Sequence, residues 1–302
     1  MTTVVVSAPA SSANLGPGFD CLGMGLQLYH RLTVSTNDSD AVEIRATGEG
    51  ANDVPLDATN HVYHAMCRSF DVVGYHPAGL VIESNNEIPI SAGLGSSAAA
   101  CLVGLVAGML ISGQEVDLER LVRFGTVEEG HADNIVPSIF GGFTVINVGV
   151  EHIDHIRLEP PDDLRAVVAI PNFSLPTEKS RMVLPEHVPF KDAVANQARV
   201  GLLTAALASG RLELLQRAME DCLHQPYRAE LVPGMEQVRE AALAAGALGA
   251  VLSGAGPAIL GLVVSSDDLV AKAMVEAWAD WGVIARTLIL PVDRTGLTYE
   301  LL

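Results

Sequence analysis

The feature that most narrows what this chain can fold into is a glycine-rich turn running directly into an apolar segment. The turn is Pro89-Ile-Ser-Ala-Gly-Leu-Gly-Ser-Ser-Ala-Ala-Ala100, and residues 98–111 carry almost no polar side chain. A helix without a polar face must be covered on all sides, so it belongs inside a core. Its 14 residues, two of them glycine, fall short of the roughly 20 that span a bilayer. The glycines let the backbone turn N–H groups toward a ligand, and the helix aims its partly positive N-terminus at the same place. That arrangement suits phosphate. Ser96 and Ser97 add hydroxyls, one as a helix cap and one as a ligand for Mg²⁺. No Lys or Arg lies between Arg68 and Arg120, so the lysine of the common phosphate loop is missing. A nucleotide bound here is held by backbone, dipole and metal. A glycine turn ahead of a buried helix also serves plain packing, so the rest of the chain must decide.

The chain has 302 residues, enough for two cores. Its 49% hydrophobic and 18% charged residues describe a compact globular protein. A formal net charge of −18 argues against nucleic acid and anionic membrane partners. It also means that an anionic ligand depends on a few local basic groups or a metal. Lysine occurs only as Lys179, Lys191 and Lys272, so arginine carries nearly all the positive charge. The cysteines, Cys21, Cys67, Cys101 and Cys222, lack metal-type spacing and read as reduced residues. The opening residues do not resemble a signal peptide, and the expectation is a soluble, cytoplasmic protein.

Along the chain, residues 3–6 read as a short buried strand followed by a loop of small residues, 8–18. Residues 26–36 and 41–46 read as strands around the turn at 37–40. Helical spacing covers 59–73, with Thr59 or Asn60 as cap, and 118–129. Between them lie a strand at 79–83 and the glycine loop with its helix. A short helix at 133–140 precedes a strand at 143–148. The acidic, proline-containing stretch 158–163 marks a boundary, giving domains at 1–160 and 161–302. The second half reads as a strand at 165–170, helices at 191–209, 212–222 and 234–245, and strands at 250–253 and 258–264. A helix at 267–281 and a last strand at 283–290 complete it. The fold class is α+β, two mixed domains with a site between them.

Four segments hold residues that packing alone does not call for. In Pro9-Ala-Ser-Ser-Ala-Asn14-Leu-Gly-Pro-Gly-Phe-Asp20, Asn14 and Asp20 interrupt small and apolar residues. Both residue types support their own turns. Yet Arg31 is the first basic residue of the chain, which leaves Asp20 without a sequence neighbour to pair with and suited to a cation on a substrate. The glycine loop is the second segment. The third is Glu128-Glu129-Gly-His131-Ala-Asp133-Asn134, in which Glu129 suits Mg²⁺ opposite Ser97 and Asp133 or Asn134 suits a helix cap. The fourth is a pair of arginines, Arg181 and Arg228, both near prolines in chain without helical spacing, each able to grip a carboxylate or phosphate in bidentate fashion or to sit in a surface ion pair. A further glycine turn, Gly254-Ala-Gly-Pro257, is either a tight hairpin or an approach to the phosphate loop.

Together these segments resemble the GHMP kinases. The family's motifs appear in order at residues 9–20, 89–99 and 250–257, and the resemblance covers essentially the whole chain. Within the family it is to the branch that phosphorylates L-homoserine. The carriers are Ala13-Asn14-Leu-Gly-Pro-Gly-Phe-Asp20, Glu129-Gly-His131-Ala-Asp133-Asn134 with Phe140-Gly-Gly, and Thr177-Glu-Lys-Ser-Arg181 with Leu184-Pro185. The resemblance implies an enzyme that moves the γ-phosphoryl group of ATP to the side-chain hydroxyl of L-homoserine, on the way to threonine. It implies an N-terminal domain like ribosomal protein S5 domain 2, a ferredoxin-like C-terminal domain, and a homodimer. It assigns ATP to Pro89, Ile90, Ser91, Ala92, Gly93, Leu94, Gly95, Ser96, Ser97, Ala98 and Ala99, with Asn60 near the adenine. It assigns Mg²⁺ to Ser97 and Glu129, and the amino acid to Asn14, Asp20, His131, Asn134, Arg181 and Arg228. Asn134, Ser97 and Glu129 are the implied catalytic residues, Asn134 by orienting the reacting hydroxyl.

Mevalonate kinase-like members pair a catalytic Asp with a Lys from the first motif, and this chain has no Lys there. Phosphoryl transfer through a loose transition state needs positioning and charge stabilisation more than a strong base. The expectation is catalysis without a dedicated base. In some relatives the metal acid lies further upstream of the histidine, which leaves Glu128 beside Glu129 as an alternative ligand. The rival substrates are mevalonate, a sugar or a polyol, which lack an ammonium for Asp20. A non-catalytic binding protein of the same fold is the remaining alternative.

Overall fold

The computed structural model describes residues 2–265 and 267–302. The first half begins with β1 (Thr3–Ala13), β2 (Leu22–Asn37), β3 (Val42–Gly48), α1 (His61–Val73), β4 (Gly79–Asn86) and α2 (Ser96–Ile111). It continues through α3 (Leu118–Glu129), α4 (Ile135–Phe140), β5 (Phe143–Val148) and β6 (Ile153–Leu158). The second half contains β7 (Arg165–Pro171), α5 (Thr177–Met182), α6 (Phe190–Ser209), α7 (Leu215–Ala218), α8 (Gln225–Arg228) and α9 (Met235–Ala244). It ends with β8 (Gly249–Leu252), β9 (Ile259–Val263), α10 (Asp267–Asp280), β10 (Ala285–Pro291) and β11 (Thr298–Leu301).

The first sheet has the order β11-β1-β2-β4-β3. The 16-residue β2 pairs with β5 near its start and with β4 along its end. The parallel pair β3 and β4 is bridged by α1, as a parallel connection requires a crossover. The second sheet is wholly antiparallel, in the order β10-β7-β9-β8. Numbered within its own half this is 4-1-3-2 with helices after the first and third strands, the ferredoxin-like arrangement.

The apolar helix α2 lies at the centre of the first half, packed against α1, α3, β1 and β2. Gly104 and Gly108 bring it against the backbone of α1: a Cβ at Gly104 would stand 2.4 Å from the Val62 carbonyl oxygen. In the second sheet, β7 reads as an unbroken apolar run because both of its faces are covered. Ala166, Val168 and Ile170 face the large core with α6 and α7, whereas Val167 and Ala169 face a second core with α9 and α10.

Several expectations need correction. Residues 8–13 are not a loop but the end of β1: Ala8 and Ala10 are buried, and small side chains are what the close packing of α2 admits. The helix expected at 212–222 is broken into a turn of 3-10 helix at Leu212–Leu214 and the short α7. The carboxylate of Asp221 accepts hydrogen bonds from the N–H groups of Leu223, His224 and Gln225 and so starts the next helix instead. Arg181 and Arg228 lie in short helices, α5 and α8, too brief for periodicity to reveal. Two strands were not foreseen. β6 is a half-exposed edge, and β11 is an exposed four-residue strand that returns the C-terminus to β1 in the first sheet.

Candidate active site

A cavity of about 350 Å³ is walled by residues from both halves. At its centre is the glycine loop. Gly93 (φ +80°) and Gly95 (φ +69°) adopt the left-handed conformation, and each is in contact that no side chain would permit. A Cβ at Gly93 would stand 2.1 Å from the carbonyl oxygen of Ser253, and one at Gly95 would stand 2.2 Å from Ser11 Oγ. The loop is therefore clamped between the end of β1 and the turn after β8. Ser253 Oγ donates to the Gly93 carbonyl (2.7 Å), and the N–H of Ser11 donates to the Leu94 carbonyl (3.1 Å). The turn at 254–257 thus does approach the loop.

Ser96 was expected as the cap of α2. Gly95 occupies the capping position instead, and Ser96 is already helical, its hydroxyl donating back to the Ile88 carbonyl (3.3 Å). No side chain caps α2, which leaves its first N–H groups to the cavity-lining loop.

Beside the loop, Ser97 Oγ donates to Glu129 Oε1 at 2.8 Å. His61 Nε2 lies 3.4 Å from each of these atoms. Burial works to raise the Glu129 pKa, but hydrogen bonds from His61 and Ser97 outweigh it and hold the carboxyl below its ordinary value. Glu129 in turn raises the His61 pKa. An ionised carboxylate with a hydroxyl at this spacing is an oxygen donor set suited to a hard divalent cation. Glu128 points elsewhere and pairs with Arg68 Nε at 2.8 Å. Asn60 caps α1, accepting from the N–H groups of Val62 (3.0 Å) and Tyr63 (3.3 Å), and also lines the cavity.

The opposite end of the cavity is charged. Asn14, in the left-handed conformation, donates to the Gly254 carbonyl (3.0 Å) and accepts from the N–H of Asp20 (3.0 Å). Asp20, unpartnered in sequence, meets Arg181 from the other half in a bidentate ion pair of 3.0 and 2.6 Å. Arg228 is 1% exposed. Its Nε donates to the Ser180 carbonyl (3.1 Å), and its Nη1 donates to the Gly254 carbonyl (3.1 Å) and to His224 Nδ1 (3.1 Å). Burial and the neighbouring Arg181 pull its pKa down to about 10, so it stays charged at neutral pH. Both guanidinium carbons sit 5.3 Å from the centre of the Phe19 ring.

His131 Nδ1 lies 3.1 Å from Asp133 Oδ1, off the angle of a hydrogen bond. Burial works to lower its pKa, but Asp133 outweighs burial and raises it. Asn134 is held by Ser11, donating from Nδ2 to Ser11 Oγ (3.0 Å) while Ser11 Oγ donates to the Asn134 carbonyl (3.1 Å).

Pro89 through Ala98 line the cavity together with Asn14, Asp20, Asn60, Glu129, His131, Asn134, Arg181 and Arg228. Ala99 does not, because its position on α2 turns it into the core, where it is fully buried. Sequence reasoning missed His61, His30 and His224 as parts of this region, and Asp133, expected only as a candidate helix cap, lines the cavity while no side chain caps α4. His61 follows the cap Asn60 directly, the one signal available. His30 and His224 arrive through strand pairing and a distant helix, with no local mark.

Residues 59–142 match the family description "GHMP kinases N terminal domain", and residues 203–284 match "GHMP kinases C terminal". The chain is 45% identical over 279 residues to homoserine kinase of Moorella thermoacetica, covering 92% of this chain and 94% of that protein. It is 39% identical over 297 residues to homoserine kinase of Microchaete diplosiphon, covering 98% and 97%. The crystal structure of homoserine kinase from Cytophaga hutchinsonii superposes with a TM-score of 0.89 at 30% identity, covering 99% of this chain and 97% of that one.

Proposed function

The chain belongs to the GHMP kinases, in the branch of the homoserine kinases, and from that premise we propose that it transfers the γ-phosphoryl group of ATP to the side-chain hydroxyl of L-homoserine. The product, O-phospho-L-homoserine, feeds threonine biosynthesis. The observation that carries this reading is the meeting in one cavity of an uncapped helix N-terminus with a cluster of Asp20, Arg181 and Arg228. The first suits the phosphates of ATP and the second suits a zwitterion.

In the reaction the homoserine hydroxyl oxygen bonds to the γ-phosphorus, the bond from that phosphorus to the β–γ bridging oxygen breaks, and ADP leaves. The glycine loop and the first turn of α2 supply N–H groups to the phosphates. Ser97 and Glu129 would hold Mg²⁺, which when bound neutralises charge on the phosphates. Asp20 takes the ammonium, and Arg181 and Arg228 take the carboxylate. Asn14 fixes Asp20, and Asn134, anchored by Ser11, orients the hydroxyl.

Release of ADP measured with L-homoserine, mevalonate and galactose side by side tests the substrate; equal rates with all three would sink the assignment. No dedicated base is invoked, and the hydroxyl proton leaves to a phosphate oxygen or water. Asp20→Asn and His131→Ala check this. A loss of about 10⁴ in kcat at unchanged KM for either variant would contradict it.

The same reading takes the ATP-binding domain as residues 1–160 and the second domain as 161–302. It further takes the enzyme as a cytoplasmic homodimer, which light scattering of the purified protein tests. Among the described residues no helix is long and apolar enough to cross a membrane.

A further inference from the structure

His61 is the first residue of α1, and the cap formed by Asn60 fixes where its side chain emerges. Its imidazole is half-exposed and lines the cavity. Ser97 Oγ, Glu129 Oε1 and His61 Nε2 form a triangle with sides of 2.8, 3.4 and 3.4 Å. Adjacent ligands on a divalent cation with bonds of about 2.1 Å stand roughly 3.0–3.4 Å apart, so both distances from His61 Nε2 fall in that range, and the Ser97–Glu129 pair, now joined by a hydrogen bond, needs to open by only a few tenths of an ångström. Cys101 is part of the same cluster: its Sγ and the His61 and Glu129 donor atoms all lie within 4.8 Å of one another. It is fully buried in α2 and does not line the cavity, unlike His61, Ser97 and Glu129, which leaves it out of the proposed donor set.

We propose that His61 is a third protein ligand of the cation held by Ser97 and Glu129, and that it biases the site toward Mn²⁺ or Co²⁺ over Mg²⁺. The inference rests on the reading of Ser97 and Glu129 as metal ligands. Mg²⁺ is satisfied by oxygen, whereas an imidazole nitrogen adds most for the later first-row cations. A His61 that served only as an ion-pair partner of Glu129 would behave oppositely. It would compete with the cation for the carboxylate, and its removal would tighten binding of every cation.

The test uses the full-length protein without nucleotide. Mn²⁺ binding is followed by the loss of the free-ion paramagnetic resonance signal, Mg²⁺ by competition, and the bound ion by pulsed resonance for coupling to an imidazole ¹⁴N. The variants are His61→Leu and Glu129→Gln. His61→Leu is expected to abolish the ¹⁴N coupling and to weaken Mn²⁺ about tenfold or more, with Mg²⁺ changed by less than about threefold. Retained Mg²⁺ affinity doubles as the check that the variant folds. If Glu129→Gln removes Mn²⁺ but His61→Leu leaves both affinity and coupling unchanged, or tightens both cations, the role of His61 falls and the metal reading stands. If Glu129→Gln leaves Mn²⁺ binding intact, both fall.

Discussion

Replacing Arg228 with lysine keeps a positive charge in the cavity and removes the fork that holds it. In the native site Nε and Nη1 make three hydrogen bonds, to the carbonyls of Ser180 and Gly254 and to His224 Nδ1, in a position 1% exposed. A lysine ammonium is a compact group on a flexible stem and cannot span all three acceptors, so at least one buried acceptor loses its donor, at a cost of about 1–3 kcal/mol. The substrate carboxylate loses a charge-assisted bond worth about 1.5–3 kcal/mol, which at 1.4 kcal/mol per decade is a fall in kcat/KM for L-homoserine of about 10- to 150-fold. The ATP side should be spared, with its KM within about twofold of the parent. Initial rates of ADP release at saturating ATP give these constants, and a urea midpoint gives the stability loss. The decisive comparison uses 3-aminopropan-1-ol, which is homoserine without its carboxylate. The parent should prefer homoserine strongly, and Arg228→Lys should lose much of that preference. If the variant lowers activity on both substrates by the same factor, Arg228 is not a carboxylate ligand and the clamp must be assigned elsewhere.

Gly93→Ala should cost about 2–4 kcal/mol of stability, combining the left-handed φ with a Cβ 2.1 Å from the Ser253 carbonyl oxygen. Its KM for ATP should rise well above that for L-homoserine, and a wild-type ATP affinity in a nucleotide titration would contradict the clamp. His30 is buried against Ser84, and burial, aided by the charge of His61, lowers its pKa from 6.5 to about 4. Its contribution to stability is full above pH 6.5 and is lost as pH falls toward 4, because the unfolded chain takes up the proton first. The loss between pH 7.5 and 5 amounts to about 2 kcal/mol. Urea titrations at the two pH values should show that loss shrinking in His30→Gln; an unchanged pH dependence would remove His30 as its source.

How much of this was legible in the sequence depended on whether the controlling interaction was local. Asn60 caps α1 through its own neighbours, two and three residues on, and was readable as a cap. The apolar α2 declared its burial by having no polar face. Ser96 misled because serine is a common cap. Here Gly95 takes that place because its αL backbone must also clear Ser11, a contact made across the fold. The end of β1 reads as loop in sequence because its residues are small, and the reason for their smallness, α2 lying across them, is tertiary. Asp20 lacked any partner within reach along the chain, and Arg181 reached it only because α5 lies against the first motif. The interruption after Ala218 goes with one carboxylate, Asp221, accepting three backbone N–H groups ahead of α8, a choice no helical periodicity encodes.

On the proposed function, the ion pair between Asp20 and Arg181 would help a chain of net charge −18 receive two anionic groups. On the proposed reading the phosphates would meet no fixed positive charge from the loop itself, only the N–H groups of a glycine loop and an uncapped helix. Glu129, the acid in contact with the first turn of α2, is itself tied to Ser97 and His61. The amino acid would be met where opposite charges are already paired. A zwitterion lying along such a pair would present its ammonium to Asp20 and its carboxylate to Arg181, so one ion pair would become two with no change in the net charge of the cavity. Arg228, buried and hydrogen-bonded to the Ser180 and Gly254 carbonyls, adds a fixed positive charge near that pair. A neutral polyol gains nothing from this exchange and would leave the original pair in place. Discrimination against mevalonate would arise similarly: its carboxylate would compete with Asp20 for Arg181 without offering a cation in return.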